Sequence, residues 1–295
     1  MSTEWCAQRE RGHSLLLRVM GRIGLALGRG PTRLLLYPIC LYYLLLWPRA
    51  LRRSRSYLGR VLGRPAKLRD VFRHYHAFAS TVLDRVYFAT GRTTDLQVQT
   101  HGADLLDRLL AGGRGCLLFS AHLGSFEALR ATGVQRRNVP INILMRTDGA
   151  QQIVRILQDW APDLAQRIIS LGSPHSLLRV KECLERGEVV GILADRLYDD
   201  QRFALLPFLG EPARFPLAPF QLASVLRVPV ALGFGLYRGG SRYEIVLELL
   251  APDGIPGQAG ERELAAWAGR FACRLEHHCR DTPYNWFNFY DYWQA

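Results

Sequence analysis

A histidine and a glutamate five residues apart are the residues best suited to chemistry in this sequence. His122 follows the apolar run 116–120, and Glu127 lies at the start of a predicted helix, after a Gly124-Ser125 turn. Five residues along one helix would turn the two side chains about 140° apart, so they converge only if His122 precedes the helix. In that arrangement the Glu127 carboxylate accepts the Nδ1 proton of His122, and Nε2 becomes a general base.

The same pair also fits a structural interpretation, in which His122 ends a strand and Glu127 is an acid favoured by the helix dipole. Its position favours the catalytic interpretation, because ligands of α/β sheets bind beyond the carboxyl ends of strands. Asp195 and Arg196 follow another predicted strand, 189–194, so we expect them at the same sheet edge. A surface ion pair between them is the alternative.

Short apolar strands alternate with amphipathic helices after about residue 95, which is typical of an α/β layer fold. The predicted strands are residues 116–120, 141–145, 168–171, 189–194, 228–237 and 243–250. The predicted helices are residues 103–111, 126–135, 150–159, 175–186, 217–226 and 261–279. We therefore expect residues 96–295 to form a central mixed sheet with flanking helices.

Residues 1–95 are predicted to form a helical, membrane-associating region, with helices from residue 14 to 90 broken at Gly30-Pro31 and at 63–65. The net charge is +12, and residues 1–75 hold 15 of the 38 basic residues but only three of the 26 acidic ones. The arginines alternate with apolar residues and no zinc-finger or RNP-like spacing occurs, which argues against nucleic acid. An anionic membrane surface fits better, at about 1 kcal/mol per basic residue; a soluble basic helix is the alternative.

The longest apolar run, residues 34–47, contains Pro38. A spanning helix needs about 20 apolar residues, so we expect an interfacial or re-entrant helix, with a short tilted span as the alternative. The first thirteen residues are polar and include acids, unlike a signal peptide. The six cysteines form no C-x-x-C pair and indicate a reducing compartment.

Residues 113–127 resemble the His-x4-Asp/Glu motif of the lysophospholipid acyltransferase superfamily, in its lipid A biosynthesis acyltransferase branch. The resemblance covers most of residues 100–293. Its other landmarks are His101-Gly102, Met145-Arg146, the Gly-Ile-Leu-Ala-Asp run 191–195 and Trp286-Phe287-Asn288-Phe289.

Two positions depart from the patterns of related enzymes. Family members often have Gln where this chain has Arg196, so the acceptor can differ. Residues 215–218 read Phe-Pro-Leu-Ala, so the Phe-Pro-Glu-Gly-type motif of glycerol-phosphate acyltransferases is absent. The second departure argues against ordinary phospholipid synthesis.

The resemblance implies an acyltransferase that moves a fatty acyl chain from a thioester, usually on acyl carrier protein, to a hydroxyl or amine of a lipid. His122 would deprotonate the acceptor, Glu127 would orient His122, and Arg146 would hold a phosphate or help the oxyanion. The implied substrate-binding residues are Gly124, Ser125, Arg146, Asp195 and Arg196. The thioester, on acyl carrier protein or coenzyme A, supplies the driving force, so no metal or redox cofactor is expected.

We expect anionic membrane lipids, acyl carrier protein and a lipid acceptor as partners, but no nucleic acid. The expected location is the cytoplasmic face of a bacterial inner membrane, peripheral or monotopic. A catalytically silent lipid-binding protein and an acyl-thioester hydrolase are alternatives. The acceptor, the acyl chain length and the choice between O- and N-acylation stay open. No Walker loop, G-x-S-x-G elbow or zinc-ligand spacing supports other chemistry.

Two further segments, residues 284–293 and 74–76, are rich in aromatic side chains. Residues 284–293 hold seven aromatic side chains, and we expect them to dock on the core, with a belt at the lipid headgroups as the alternative. In His74-Tyr75-His76 the two imidazoles would point about 200° apart on a helix, which does not suit a metal site. A solvated or core-edge role is expected for these histidines.

Overall fold

The computed structural model describes residues 19, 21–137, 139–146, 165–172, 175–198 and 201–293. The predicted helix 150–159 and the first 18 residues of the predicted N-terminal region lie outside the described residues. Residues 21–27 are helical. They are followed by α1 (Arg29–Leu46), α2 (Pro48–Leu62) and α3 (Leu68–Ala89).

After α3 the chain continues with strands and helices, most of which lie close to the predicted ranges. The strands are β1 (Gln97–His101), β2 (Leu117–Ser120), β3 (Ile141–Arg146), β4 (Ile168–Leu171), β5 (Val189–Leu193), β6 (Phe203–Phe208), β7 (Glu211–Pro216), β8 (Val230–Gly239) and β9 (Arg242–Ala251). The helices are α4 (Ala103–Leu110), α5 (Phe126–Arg137), α6 (Ser176–Glu185), α7 (Ala218–Leu226) and α8 (Glu261–Asp281).

A seven-stranded mixed sheet, in the order β1-β9-β8-β2-β5-β3-β4, forms the centre of the fold. Strands β8 and β9 pair antiparallel, and the other neighbours pair parallel. The predicted α/β fold with a central mixed sheet and flanking helices is confirmed. Because β2, β5 and β3 are parallel neighbours, their carboxyl ends lie at one edge of the sheet.

Three strands were not predicted, and their sequences explain why. β1 lies at the sheet edge and alternates exposed with half-buried residues, so it lacks an apolar face. β6 and β7 form a separate antiparallel hairpin that contains Pro207, Pro212 and Pro216. Proline normally argues against a strand, because it cannot donate to the ladder.

The helices of the N-terminal region share a hydrophobic core with the sheet. Tyr57 and Leu58 of α2 and Val71 of α3 belong to the same buried cluster as Leu117 and Phe119 of β2. The basic region thus shares one hydrophobic core with the strand that leads to His122.

The breaks between the first helices differ from the prediction. α1 runs through Gly30-Pro31, because Pro31 lies in its first turn, where the missing N–H has no intrahelical partner to lose. The break lies instead at Gly28, whose φ is +83°. A further bend of 98° at Trp47 separates α1 from α2. In the described residues no single helix is long and apolar enough to cross a membrane, although the bent α1–α2 pair meets that criterion by length and composition.

Candidate active site

His122 and Asp195 meet at the ends of two neighbouring parallel strands. Ser120 at the end of β2 lies opposite Leu193 at the end of β5. His122 follows two residues after Ser120, and Asp195 follows two residues after Leu193. The Nδ1 atom of His122 lies 2.8 Å from Oδ1 of Asp195, and the His122 amide donates to Oδ2 at 3.0 Å. Asp195 is fully buried, whereas 22% of the His122 side chain is exposed. The pair therefore has a buried acid behind a partly accessible imidazole.

Glu127 does not make the predicted contact with His122. It lies in the first turn of α5 and faces α3, where its Oε1 is 3.2 Å from Nε of Arg85. Its second oxygen accepts a long hydrogen bond of 3.4 Å from the Ser125 hydroxyl. The expected position of Glu127 at Nδ1 is corrected: Asp195 occupies it.

The turn between His122 and α5 is built from backbone contacts. Gly124 has a φ of +70°, and a Cβ there would come 2.0 Å from the Gly235 carbonyl oxygen, so only glycine fits. The Ser125 amide donates to that oxygen at 2.7 Å, and its hydroxyl caps α5 by accepting from the Ala128 amide at 3.2 Å. Both residues are buried and shape this turn, and their expected substrate-binding role stays a prediction.

The carboxylate of Asp195 is surrounded by donors that sequence reasoning missed. Its Oδ2 accepts from the indole Nε1 of Trp286 and the amide Nδ2 of Asn288, each at 3.0 Å. The Tyr292 hydroxyl donates to its main-chain oxygen at 2.8 Å. These protein groups enclose Asp195, and the structure places it against His122; its expected role in binding substrate stays a prediction.

The ionisation of the pair follows from its surroundings. Burial opposes the charge of Asp195, but the His122 ring and its hydrogen bonds outweigh burial and lower the pKa of Asp195 to about 2. Burial also lowers the pKa of His122 below 6.5, and the charges of Arg196 and Arg85 act in the same direction. Near neutral pH the pair is a carboxylate and a neutral imidazole. Since a carboxylate can only accept a hydrogen bond, Nδ1 of His122 carries the proton and Nε2 carries none.

Two arginines lie at the same edge of the sheet. Arg196 donates from Nε to Asn288 Oδ1 at 2.7 Å and from Nη2 to the Phe287 carbonyl oxygen at 3.1 Å. The alternative of a surface ion pair with Asp195 is therefore wrong, because Asp195 is buried and Arg196 bonds to the C-terminal segment. Arg146 ends β3, and its guanidinium lies 5.2 Å from the centroid of the Tyr198 ring.

The C-terminal aromatic residues dock on the core, as expected. Trp286 is fully buried, and Phe287 and Tyr292 are also buried. His74 lies in the core rather than at its edge: its Nε2 is 2.9 Å from the Trp286 carbonyl oxygen, and its Nδ1 is 2.8 Å from the Ser54 hydroxyl. No sequence pattern indicated that this histidine contacts a segment more than 200 residues away.

Such an arrangement suits general-base chemistry. Among the described residues, Nε2 of His122 has no hydrogen-bond partner, so it can accept a proton from a hydroxyl or amine. Asp195 then stabilises the imidazolium that forms. The geometry fits the activation of a nucleophile that attacks an acyl group.

Comparison with known families supports the same chemistry. A family model described as "Bacterial lipid A biosynthesis acyltransferase" matches residues 68–295, from the start of α3 and across the whole site. A search of curated proteins found no match. The family indicates acyltransferase activity. The chain belongs to the bacterial lipid A biosynthesis acyltransferase family.

Proposed function

We propose that the protein moves a fatty acyl chain from a thioester on acyl carrier protein to a hydroxyl or amine of a lipid acceptor. The observation that carries this proposal is the 2.8 Å contact between Nδ1 of His122 and the buried carboxylate of Asp195. It fixes the ring so that its unprotonated Nε2 is the basic atom. A general base of this kind accelerates a reaction by typically 10²–10⁴-fold.

The reaction begins when Nε2 of His122 removes the proton from the acceptor. The freed electron pair of the acceptor oxygen or nitrogen attacks the thioester carbonyl carbon, and the carbonyl oxygen becomes an oxyanion. The carbon–sulfur bond then breaks, the acyl chain stays on the acceptor, and the imidazolium returns its proton to the thiolate. Asp195 stabilises the imidazolium between these two steps.

Arg146 and Arg196 are the candidate residues for binding the negative charges of this reaction. Both lie at the sheet edge that carries the dyad of His122 and Asp195, and a guanidinium can bind a phosphate through two parallel hydrogen bonds. Arg196 is held by Asn288 and Phe287, which fixes its guanidinium beside Asp195. We assign these two cations to a substrate phosphate or to the developing oxyanion.

Glu127 has a different role in this proposal from the one its motif position implies. Its carboxylate pairs with Arg85, and the Arg85 charge also lowers the pKa of His122. Glu127 therefore acts through Arg85, by fixing and partly neutralising a cation near the imidazole. This is a positioning role, since the Nδ1 proton of His122 belongs to Asp195.

The lipid acceptor is reached from a membrane surface in this proposal. One face of α1 exposes a stripe of large apolar side chains at helical spacing: Leu34, Tyr37, Leu41, Tyr42, Leu45 and Leu46. Helix α2 begins beyond the 98° bend and exposes Arg49, Arg52 and Arg55. Apolar residues beside cations suit an anionic bilayer interface. We propose a peripheral or monotopic attachment to the cytoplasmic face of a bacterial inner membrane.

Acyl transfer from radiolabelled acyl carrier protein into a bacterial total lipid extract tests the function. The wild type is compared with His122→Ala, and folding of both is checked by circular dichroism. A labelled lipid that falls at least about 10²-fold in His122→Ala supports the proposal. Release of free labelled acid without a labelled lipid indicates a thioester hydrolase. No product with acyl carrier protein or coenzyme A donors indicates a catalytically silent lipid-binding protein.

A further inference from the structure

The C-terminal segment, residues 284–293, runs directly behind the dyad of His122 and Asp195. The Phe287 amide donates to the His122 carbonyl oxygen at 2.7 Å, and Leu123 and Trp286 form an antiparallel bridge. The Asn285 carbonyl oxygen accepts from the Gly124 amide at 2.9 Å. The segment is therefore paired with the backbone of the turn that carries the imidazole.

Two side chains of this segment reach the carboxylate of Asp195. Trp286 Nε1 and Asn288 Nδ2 both donate to Oδ2 at 3.0 Å, beside the His122 amide on the same oxygen. Trp286 is fully buried and Asn288 is 1% exposed. Oδ2 thus has three donors, which leaves Oδ1 for the imidazole of His122.

Trp286 and Asn288 are themselves held in place. His74 donates from Nε2 to the Trp286 carbonyl oxygen at 2.9 Å, which leaves Nδ1 to accept from the Ser54 hydroxyl. Arg196 donates to the Asn288 side-chain oxygen, which turns the Asn288 amide nitrogen toward Asp195. Helices α2 and α3 therefore fix the segment from one side, and the dyad contacts it from the other.

The donors have two physical effects on a buried carboxylate. They prevent rotation of the carboxylate, so that Oδ1 stays aligned with Nδ1 of His122. They also spread its negative charge, which keeps the carboxylate ionised without increasing its attraction for the proton of the imidazole. Both effects favour a neutral His122 with a basic Nε2.

We infer that Trp286 and Asn288 are positioning residues of the acyl-transfer reaction, which hold Oδ2 of Asp195 so that Oδ1 orients His122. This inference rests on the proposed function for the reaction, but the contacts can be tested without turnover. The charged groups that act on His122 are Asp195, Arg196 and Arg85, and none of them is changed in the test.

The test compares Trp286→Phe and Asn288→Ala with Trp293→Phe. Trp293 is a matched control, because its indole donates to the Phe208 carbonyl oxygen instead of to Asp195. The pKa of His122 is followed by imidazole ¹⁵N shifts, assigned by their loss in His122→Ala. We expect it to rise by about half a pH unit or more in the first two variants, since a carboxylate with fewer donors attracts the proton more strongly. In Trp293→Phe the titration of His122 should match that of the wild type.

Kinetics separate positioning from a loss of folded protein. We expect kcat of Trp286→Phe to fall about 10-fold, while KM for the acyl donor stays within about twofold of the wild type, because the hydrogen bond is lost behind the imidazole. A His122 titration identical to the wild type in folded Trp286→Phe and Asn288→Ala overturns the inference. So does a loss of activity that only follows the fraction of folded protein.

If those variants do not fold, the NMR resonance of the Trp286 indole proton tests the inference instead. The Trp286 indole proton of the wild type is compared with that of Asp195→Asn, in which the acceptor is neutral. We expect the Trp286 resonance to move and the Trp293 resonance to stay; an unmoved Trp286 resonance overturns the inference. If the titrations differ but the wild type transfers no acyl chain, the proposed function fails and the positioning contacts stand. If the wild type transfers an acyl chain and the titrations coincide, the proposed function stands and the positioning inference fails.

Discussion

Asp195 lies 73 residues beyond His122 in the sequence, yet its Oδ1 is 2.8 Å from Nδ1 of the imidazole. Glu127, only five residues beyond His122, contacts Arg85 of α3 instead. The proximity comes from the sheet, because β2 and β5 are parallel neighbours that end in register. The dyad is therefore formed by two strand ends, and the acid of the His-x4-Glu spacing pairs with Arg85 instead of with His122.

Replacing Asp195 by Asn tests the acid of the dyad. Asn keeps the shape of the side chain but carries no charge to stabilise the imidazolium. We expect kcat to fall by about 10³–10⁴-fold, the size of effect known for the corresponding change in serine proteases. Acyl transfer measured beside circular dichroism checks this. A folded Asp195→Asn variant with more than about a tenth of the wild-type kcat would rule out the assignment.

The Arg85–Glu127 ion pair gives a second prediction. If Glu127 acts through Arg85, then Glu127→Gln and Arg85→Gln remove the same interaction, and the double variant should lose little more activity than the more impaired single variant. A double-mutant cycle on kcat/KM measures this. Strictly additive losses would show that Glu127 works independently of Arg85, for example at the substrate.

The pH dependence of kcat/KM depends on the charges around His122. Burial and the Arg196 charge lower the pKa of His122 below its usual 6.5, and the proposed mechanism uses the neutral imidazole. In Arg196→Gln a cation that disfavours the imidazolium is lost, and we expect the rising limb of the profile to move to higher pH. Arg270→Gln is the control, because Arg270 is exposed and lies over Trp267. An unmoved limb in Arg196→Gln would contradict this electrostatic description.

Much of the sheet edge could be predicted from the sequence. His122, Arg146 and Asp195 each follow an apolar strand, and the rule that sites lie at the carboxyl ends of parallel strands places all three together. The strand order was not predictable, because apolar runs carry no information about which neighbour they pair with. Without the strand order, Glu127 was the acid nearest to His122 along the sequence. Asp195 was therefore predicted to bind the substrate instead of contacting His122.

The contribution of the C-terminal segment was harder to predict. Its aromatic residues indicated docking on the core, but the two donors to Asp195 are single polar atoms within an apolar run. The Gly124 turn was anticipated, while its close approach to Gly235 depends on tertiary packing. Contacts of this kind follow from the sheet order and become visible only in three dimensions.

Membrane attachment through α1 gives a prediction that is independent of catalysis. Leu41 and Leu45 are 48% and 70% exposed on the apolar stripe of α1. We expect Leu41→Glu with Leu45→Glu to reduce flotation with phosphatidylglycerol-containing vesicles by about 10-fold or more, because apolar contact is lost and two like charges meet an anionic surface. Leu177→Glu changes a leucine on α6 whose exposed fraction, 56%, lies between those two values, and it should bind like the wild type. Equal flotation of all three proteins would exclude this face as the attachment site.

Buried His74 predicts how the stability of the protein depends on pH. Burial lowers the pKa of His74 to about 4, whereas the unfolded chain has about 6.5. The unfolded state therefore binds more protons as the pH falls below 6.5, and the contribution of His74 to stability is lost progressively down to pH 4. Between pH 7 and pH 5 this loss amounts to about 2 kcal/mol in the free energy of unfolding.

Urea unfolding at several pH values measures this loss, with His74→Gln as the variant that cannot titrate. His74→Gln should be less stable than the wild type at pH 7, because the imidazole bridges Ser54 and the Trp286 carbonyl oxygen. The difference between the two proteins should shrink by about 2 kcal/mol at pH 5, since other titrating groups cancel in the comparison. Exposed His277→Gln should follow the wild type at both pH values. A constant difference between wild type and His74→Gln would mean that His74 titrates normally and is not the buried, neutral link between α2 and the C-terminal segment.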